Sequence, residues 1–206
     1  IGRTGYKFSI DHWDVVPDLI ATAKGLSGGY TAMGALLLRE KVWRAIAEGS
    51  GGTTHSHTFS GNPLSCTVGA AVLEYMEEND LVTRAKNIGK KLKLSLEESL
   101  KDVPEVGDIR GTGLMLGIEL IADPKTREPF PVELNLTKKV VREAREGGLL
   151  ILGGAPGLID AKAGDHFQIL PPYVITEEHV RELTEKLNRA IRSALTSLPE
   201  TKTDQI

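Results

Sequence analysis

The stretch Pro17-Asp18-Leu19-Ile20-Ala21-Thr22-Ala23-Lys24, followed at once by Gly25-Leu26-Ser27-Gly28-Gly29, decides how the rest of the chain is read. Its first half has the character of a short strand, and the glycines mark a turn directly after Lys24. Lysine is seldom fully buried, and an amine at the tip of an apolar strand tends toward a depressed pKa. A neutral amine is a nucleophile, and its usual partner is a carbonyl with which it forms a Schiff base. Most strand-end lysines are simply solvated, so the residues alone leave both readings of Lys24 open.

The elements around this stretch alternate. Asp18 to Ala23 and Met33 to Leu38 are expected as strands, and Arg39 to Glu48 as a polar helix. Continuous apolar runs of this kind suit strands buried on both faces of a sheet. Residues 49–62, GSGGTTHSHTFSGN, form a long polar loop of the kind that often carries function. Pro63 suits the first turn of a following helix, in which Gly69, Ala70 and Ala71 permit close packing. A second helix from Leu81 to Leu100 places Leu92, Leu96 and Leu100 at i, i+4 and i+8 among Lys and Glu, an amphipathic pattern that Pro104 ends.

Beyond Pro104 the texture changes. Strands are expected over Val106 to Arg110, Leu114 to Ile121, Leu149 to Leu152 and Phe167 to Leu170. Helices are expected over Leu134 to Glu146, closed by Gly147-Gly148, and over Glu177 to Leu195, with Thr176 as N-cap. A boundary near residue 80 divides an α/β part, 1–80, from an α+β part, 81–196, leaving 197–206 as a polar, frayed tail.

Composition narrows the function. The 28 acids and 25 bases give a formal charge of −3, which offers no footprint for nucleic acid. No apolar run is long enough to span a bilayer and no signal-peptide pattern opens the chain. A single cysteine, Cys66, excludes an internal disulfide and a cysteine-built metal site, and points to a reducing cytoplasm. Its apolar helical surroundings suggest a packed, inert thiol. His55 and His57 lack the further ligands that a metal site needs, so no metal is expected. The glycines after Lys24 match neither of the nucleotide-binding glycine patterns. Trp13, Trp43 and Tyr6 carry no assigned chemistry.

Three segments taken in order, IGRTGYKFSIDHWDVVPDLIATAKGLSGGY, THSHTFSGNPLSC and the pair IRGTGLMLGIEL and DHFQILPPYVIT, resemble the C-terminal half of the class III aminotransferases. The resemblance covers nearly the whole chain. It implies fold type I, the aspartate-aminotransferase-like α/β fold, with 1–80 ending the large cofactor-binding domain and 81–196 forming the small α+β domain. It implies pyridoxal 5'-phosphate as cofactor, held by Lys24 as a Schiff base. Thr58, the threonine of the T-F-S-G-N-P segment, is implied as a contact to the cofactor phosphate, reached from the neighbouring subunit of a homodimer or tetramer. Arg110 matches a basic position of the family, and pairing with a nearby carboxylate explains it as well as substrate binding does.

Two departures stand out. Where many members place an arginine that forks onto the substrate carboxylate, this chain has Gln168, which can bond a carboxylate without neutralising it. This turns the expectation toward an amine or ω-amino-acid donor and a pyruvate-type 2-oxo acid acceptor. The acid that pairs with the cofactor's ring nitrogen, and the phosphate turn, lie upstream of the matching segments in the family. The chain, opening on Ile1 without an initiator methionine, is therefore expected to be a fragment, inactive alone. A non-catalytic folding or dimerisation unit and an aminomutase or decarboxylase relative are the competing readings.

Overall fold

The computed structural model describes residues 1–155, 157–160 and 163–199. They fall into two compact units, Ile1–Thr83 and Arg84–Ile206.

In the first unit, β1 (Leu19–Ala23) pairs antiparallel with β2 (Gly34–Leu38), Leu19 opposite Leu38 and Ala23 opposite Gly34. Their apolar residues do not form a sheet buried on both faces, as the continuous runs suggested. Leu19 is 53% exposed and Leu36 61% exposed, and no residue of either strand is fully buried, because among the described residues this sheet has two strands. Helices α1 (Glu40–Glu48) and α2 (Pro63–Glu78) follow. Pro63 occupies the first turn of α2, and the Asn62 side chain caps it by accepting from the Ser65 backbone N–H at 3.1 Å.

The small residues of α2 do permit close approach. A Cβ on Gly69 would lie 2.6 Å from the Met33 sulfur. The buried positions of α2 are only Gly69 and Met76, and Cys66 is exposed rather than packed. The apolar neighbours in its sequence lie on a helix most of whose surface is itself uncovered.

The second unit has the core. Four antiparallel strands run in the order β3 (Val106–Thr112), β4 (Met115–Leu120), β6 (Asp165–Ile169), β5 (Leu152–Gly153). Leu116, Ile118, Leu120, Phe167 and Ile169 form one buried cluster with α3 (Leu81–Leu100), α4 (Leu136–Glu146) and α5 (Glu177–Thr196). Leu92, Leu96 and Leu100 are buried, as their i, i+4, i+8 spacing on an amphipathic helix indicated. Gly89 of α3 meets the β3–β4 turn so closely that a Cβ there would sit 2.1 Å from the Gly113 carbonyl oxygen.

Two boundaries differ from expectation for local reasons. β5 is shorter than the apolar run Leu149 to Leu152, because the Leu149 N–H still bonds the Ala144 carbonyl and closes α4. The α4 helix begins at Leu136, after a 3-10 turn over Val132–Leu134 and a left-handed Asn135. Its first turn is capped from a distance: buried Asp165 accepts from the Thr137 N–H at 2.7 Å and from its hydroxyl at 2.6 Å. Thr176 caps α5 as the sequence indicated, through a reciprocal capping box with His179. Glu200–Ile206, most of the expected tail, lies outside the described residues.

Candidate active site

Lys24 is the first residue after β1 and opens a 3-10 turn that runs to Ser27. Its backbone is left-handed, φ +53°, a conformation that costs a β-carbon-bearing residue about 1–3 kcal/mol and persists where the surroundings impose it. What imposes it is the anchored turn. Leu26 and Ser27 are buried, and the Ser27 hydroxyl donates to the Thr31 carbonyl at 2.6 Å. Gly28, φ +62°, returns its N–H to the Gly25 carbonyl, and a Cβ there would press on Val72 of α2 at 3.2 Å. Ser65, on the first turn of α2, bonds the Thr31 hydroxyl and the Ala32 carbonyl at 3.3 Å each. The loop leaving Lys24 is thereby tied to the helix that follows the T-F-S-G-N-P segment. Sequence reading missed Ser27 and Ser65, since nothing in a lone serine distinguishes an anchor from a surface hydroxyl.

The Lys24 amine has no hydrogen-bond or ion-pair partner among the described residues, and it is exposed. Among the described residues nothing buries the amine, so the apolar strand before it does not provide the desolvation expected at a strand tip. Thr58 lies in a turn closed by the Ser60 N–H on the His57 carbonyl, 2.9 Å, and by the His57 N–H on the Ser60 hydroxyl, 3.1 Å. Its own hydroxyl is exposed and unpartnered among the described residues. His55 and His57 stand edge to face at 4.9 Å between centroids. Asp18, just before β1, pairs with Lys41 at 2.6 Å and Arg39 at 3.7 Å, and the hydrogen bond from Lys41 leads in holding its carboxyl below the usual carboxylate range.

In the second unit Gln168 sits on β6, opposite Gly117 on one side and Leu152 on the other. Arg110 is taken up by two carboxylates, Asp108 at 2.8 Å and Glu119 at 2.7 Å, so carboxylate pairing accounts for it.

A family model for class-III aminotransferases matches residues 1–191. The chain belongs to the class-III aminotransferases. An aminotransferase of Bacillus subtilis, YodT, is 37% identical over 183 residues, 89% of this chain and 41% of its own. Gamma aminobutyrate transaminase 2 of Solanum lycopersicum is 31% identical, matching 99% of this chain and 43% of its own. A transaminase from the marine bacterium Virgibacillus superposes with a TM-score of 0.89 at 30% identity over 96% of this chain and 44% of that one. An (S)-enantioselective omega-transaminase from Thermomicrobium roseum gives 0.84 at 29% identity, over 94% of this chain and 41% of that one. The class-III chain described here thus spans about two fifths of the length of these relatives, and its fold is that of the fold type I transferases.

The donor set suits a cofactor that carries both an aldehyde and a phosphate. Among the described residues Lys24 has an unpartnered amine, the chemistry an aldehyde needs, and Thr58 an unpartnered hydroxyl, the chemistry a phosphate oxygen needs. The glycines that follow Lys24 leave room beside it: a Cβ on Gly25 or Gly29 would meet nothing within 4 Å.

Proposed function

We propose that the chain is the lysine-bearing part of a pyridoxal-phosphate-dependent transaminase that moves an amino group from an amine or ω-amino acid to a 2-oxo acid such as pyruvate. The observation that carries the reading is Lys24, whose backbone is left-handed just after β1 and whose amine is unpartnered among the described residues. Lys24 Nζ would hold the cofactor's aldehyde carbon and, once released, carry the proton taken from the donor carbon. The anchored turn behind it fixes the direction from which Nζ approaches. Bound pyridoxal phosphate would supply the electron sink for the bond broken at that carbon. Thr58 would hold the phosphate of the partner subunit's site in a homodimer or tetramer, the hydroxyl donating to a phosphate oxygen.

On this reading residues 1–80 end the cofactor-binding domain and 81–196 form the small domain, in a cytoplasmic enzyme. Gln168 supports an amine or ω-amino-acid donor, because a carboxamide cannot neutralise an α-carboxylate. The test is borohydride reduction of the full-length protein loaded with pyridoxal phosphate, followed by peptide mass mapping. A covalent adduct on Lys24 is expected, and an unmodified Lys24 overturns the reading. Ketone and aminated acceptor as products, against an isomerised product or carbon dioxide, separate transamination from the aminomutase and decarboxylase alternatives.

A further inference from the structure

Ser65, on the first turn of α2, makes hydrogen bonds that point two ways. Its backbone N–H donates to Oδ1 of Asn62, in the T-F-S-G-N-P segment, at 3.1 Å. Its half-buried hydroxyl donates to the Ala32 carbonyl at 3.3 Å and lies 3.3 Å from the Thr31 hydroxyl. With the Ser65 proton given to Ala32, Thr31 is the donor in that second pair. Each direction leads to a residue proposed to touch the cofactor. Towards Lys24, the Thr31 carbonyl accepts from the Ser27 hydroxyl at 2.6 Å and the Tyr30 N–H returns to the Ser27 carbonyl at 3.0 Å. Ser27, buried at 1% exposure, closes the 3-10 turn that Lys24 opens. Towards Thr58, the Asn62 N–H donates to the Phe59 carbonyl at 3.2 Å, and the Ser60 N–H spans Thr58 to reach the His57 carbonyl at 2.9 Å. The whole path lies within the first unit.

Coupling between two places needs a contiguous network and an element with two arrangements that both places bias. The hydrogen bonds through Ser65 are the network. The element is the Lys24 backbone: held left-handed at φ +53°, it has an unstrained right-handed alternative. On the transaminase reading, on which this inference rests, Lys24 serves its own subunit's site and Thr58 serves the partner subunit's site. A path inside one chain then joins two cofactor sites. We propose that Ser65 is a positioning residue that couples the two sites of the dimer. Phosphate held by Thr58 at one site steadies, through Asn62, Ser65 and Thr31, the turn that aims Lys24 at the other. Such coupling is reciprocal, so cofactor on Lys24 tightens the phosphate contact in turn.

The test uses a mixed dimer of the full-length protein in which one subunit carries Lys24→Ala, so that a single cofactor lysine remains. The Thr58 of the lysine-bearing subunit then belongs to the other, lysine-free site. The dissociation constant of pyridoxal phosphate at the remaining Lys24, and the rate at which borohydride fixes it there, are measured by absorbance and peptide mass mapping. Thr58→Val in the lysine-bearing subunit is expected to weaken the cofactor on Lys24 about fivefold, the low end of site-to-site coupling. Ser65→Ala in the same subunit is expected to abolish that response, Thr31→Val to act as Ser65→Ala does, and Ser65→Thr, which keeps the hydroxyl, to preserve it. A Ser65 that only stabilises the fold would lower the melting midpoint and leave the response to Thr58→Val intact. The proposal is overturned if Thr58→Val leaves Lys24 unaffected, or if its effect survives both Ser65→Ala and Thr31→Val. A Lys24 that borohydride never fixes in the unaltered dimer overturns the transaminase reading as well, whereas a fixed Lys24 indifferent to Thr58→Val overturns the coupling alone.

Discussion

The β1–β2 pair and the β3–β4–β6–β5 sheet are both antiparallel, yet they divide labour in opposite ways. The four-stranded sheet has one face sealed by three helices and carries Phe167, Ile118 and Leu116 at under 3% exposure. The two-stranded pair leaves Leu19, Leu36 and Leu37 exposed and leads directly into Lys24. A two-stranded ribbon is marginal alone in water, whereas a sheet with a covered face is self-supporting. The described core of this chain therefore lies in the second unit, and the proposed cofactor lysine in the first.

The sharpest way to break that contrast is to remove the amine. Lys24→Ala in the full-length protein is expected to lower turnover by ~10³-fold or more while leaving the thermal midpoint unchanged. A variant that unfolds instead would make Lys24 a structural residue. Next in size, Leu92→Ala should destabilise by about 2–5 kcal/mol, while Leu36→Ala, on the exposed strand, should stay within about 0.5 kcal/mol in this chain. Equal losses in urea melts would erase the distinction between the units. Gly89→Ala forces a methyl against the Gly113 backbone and should cost about 1–3 kcal/mol in the same melts.

The smallest effect concerns acid. The Asp18 carboxyl is held below its ordinary range, first by the Lys41 hydrogen bond. A depressed folded-state pKa means that its contribution is complete above the unfolded carboxylate's pKa, ~4, and is lost as pH falls through the folded value. In Lys41→Gln the carboxyl's NMR titration midpoint should move up toward the unfolded value, and an unmoved midpoint would sever Asp18 from Lys41.

Helices were the most legible parts of the sequence, because their signals are local: Leu81 to Leu100 by leucine spacing, Pro63 by its ring, Thr176 by its cap. The Lys24 and T-F-S-G-N-P segments were legible for the same reason, each being a contiguous pattern. What escaped was non-local. Asp165 caps α4 from 28 residues away, and nothing near Thr137 announces it. The exposure of Cys66 and of the β2 leucines depends on which layers pack over them, and periodicity does not record that. Of Arg110's two partners, Asp108 lies two residues away on the same strand, but Glu119 is brought by the hairpin, so only the register reveals it.

The tight seat of the Met33 thioether against Gly69 also sets a chemical ageing route. Peroxide converts a thioether to a sulfoxide, adding a polar oxygen to a sulfur seated where a side chain at position 69 would lie. An oxygen turned toward α2 would meet the close approach that Gly69 permits, so oxidation of the half-buried Met33 is expected to loosen the seat of that helix, and methionine sulfoxide reductase would restore the fit.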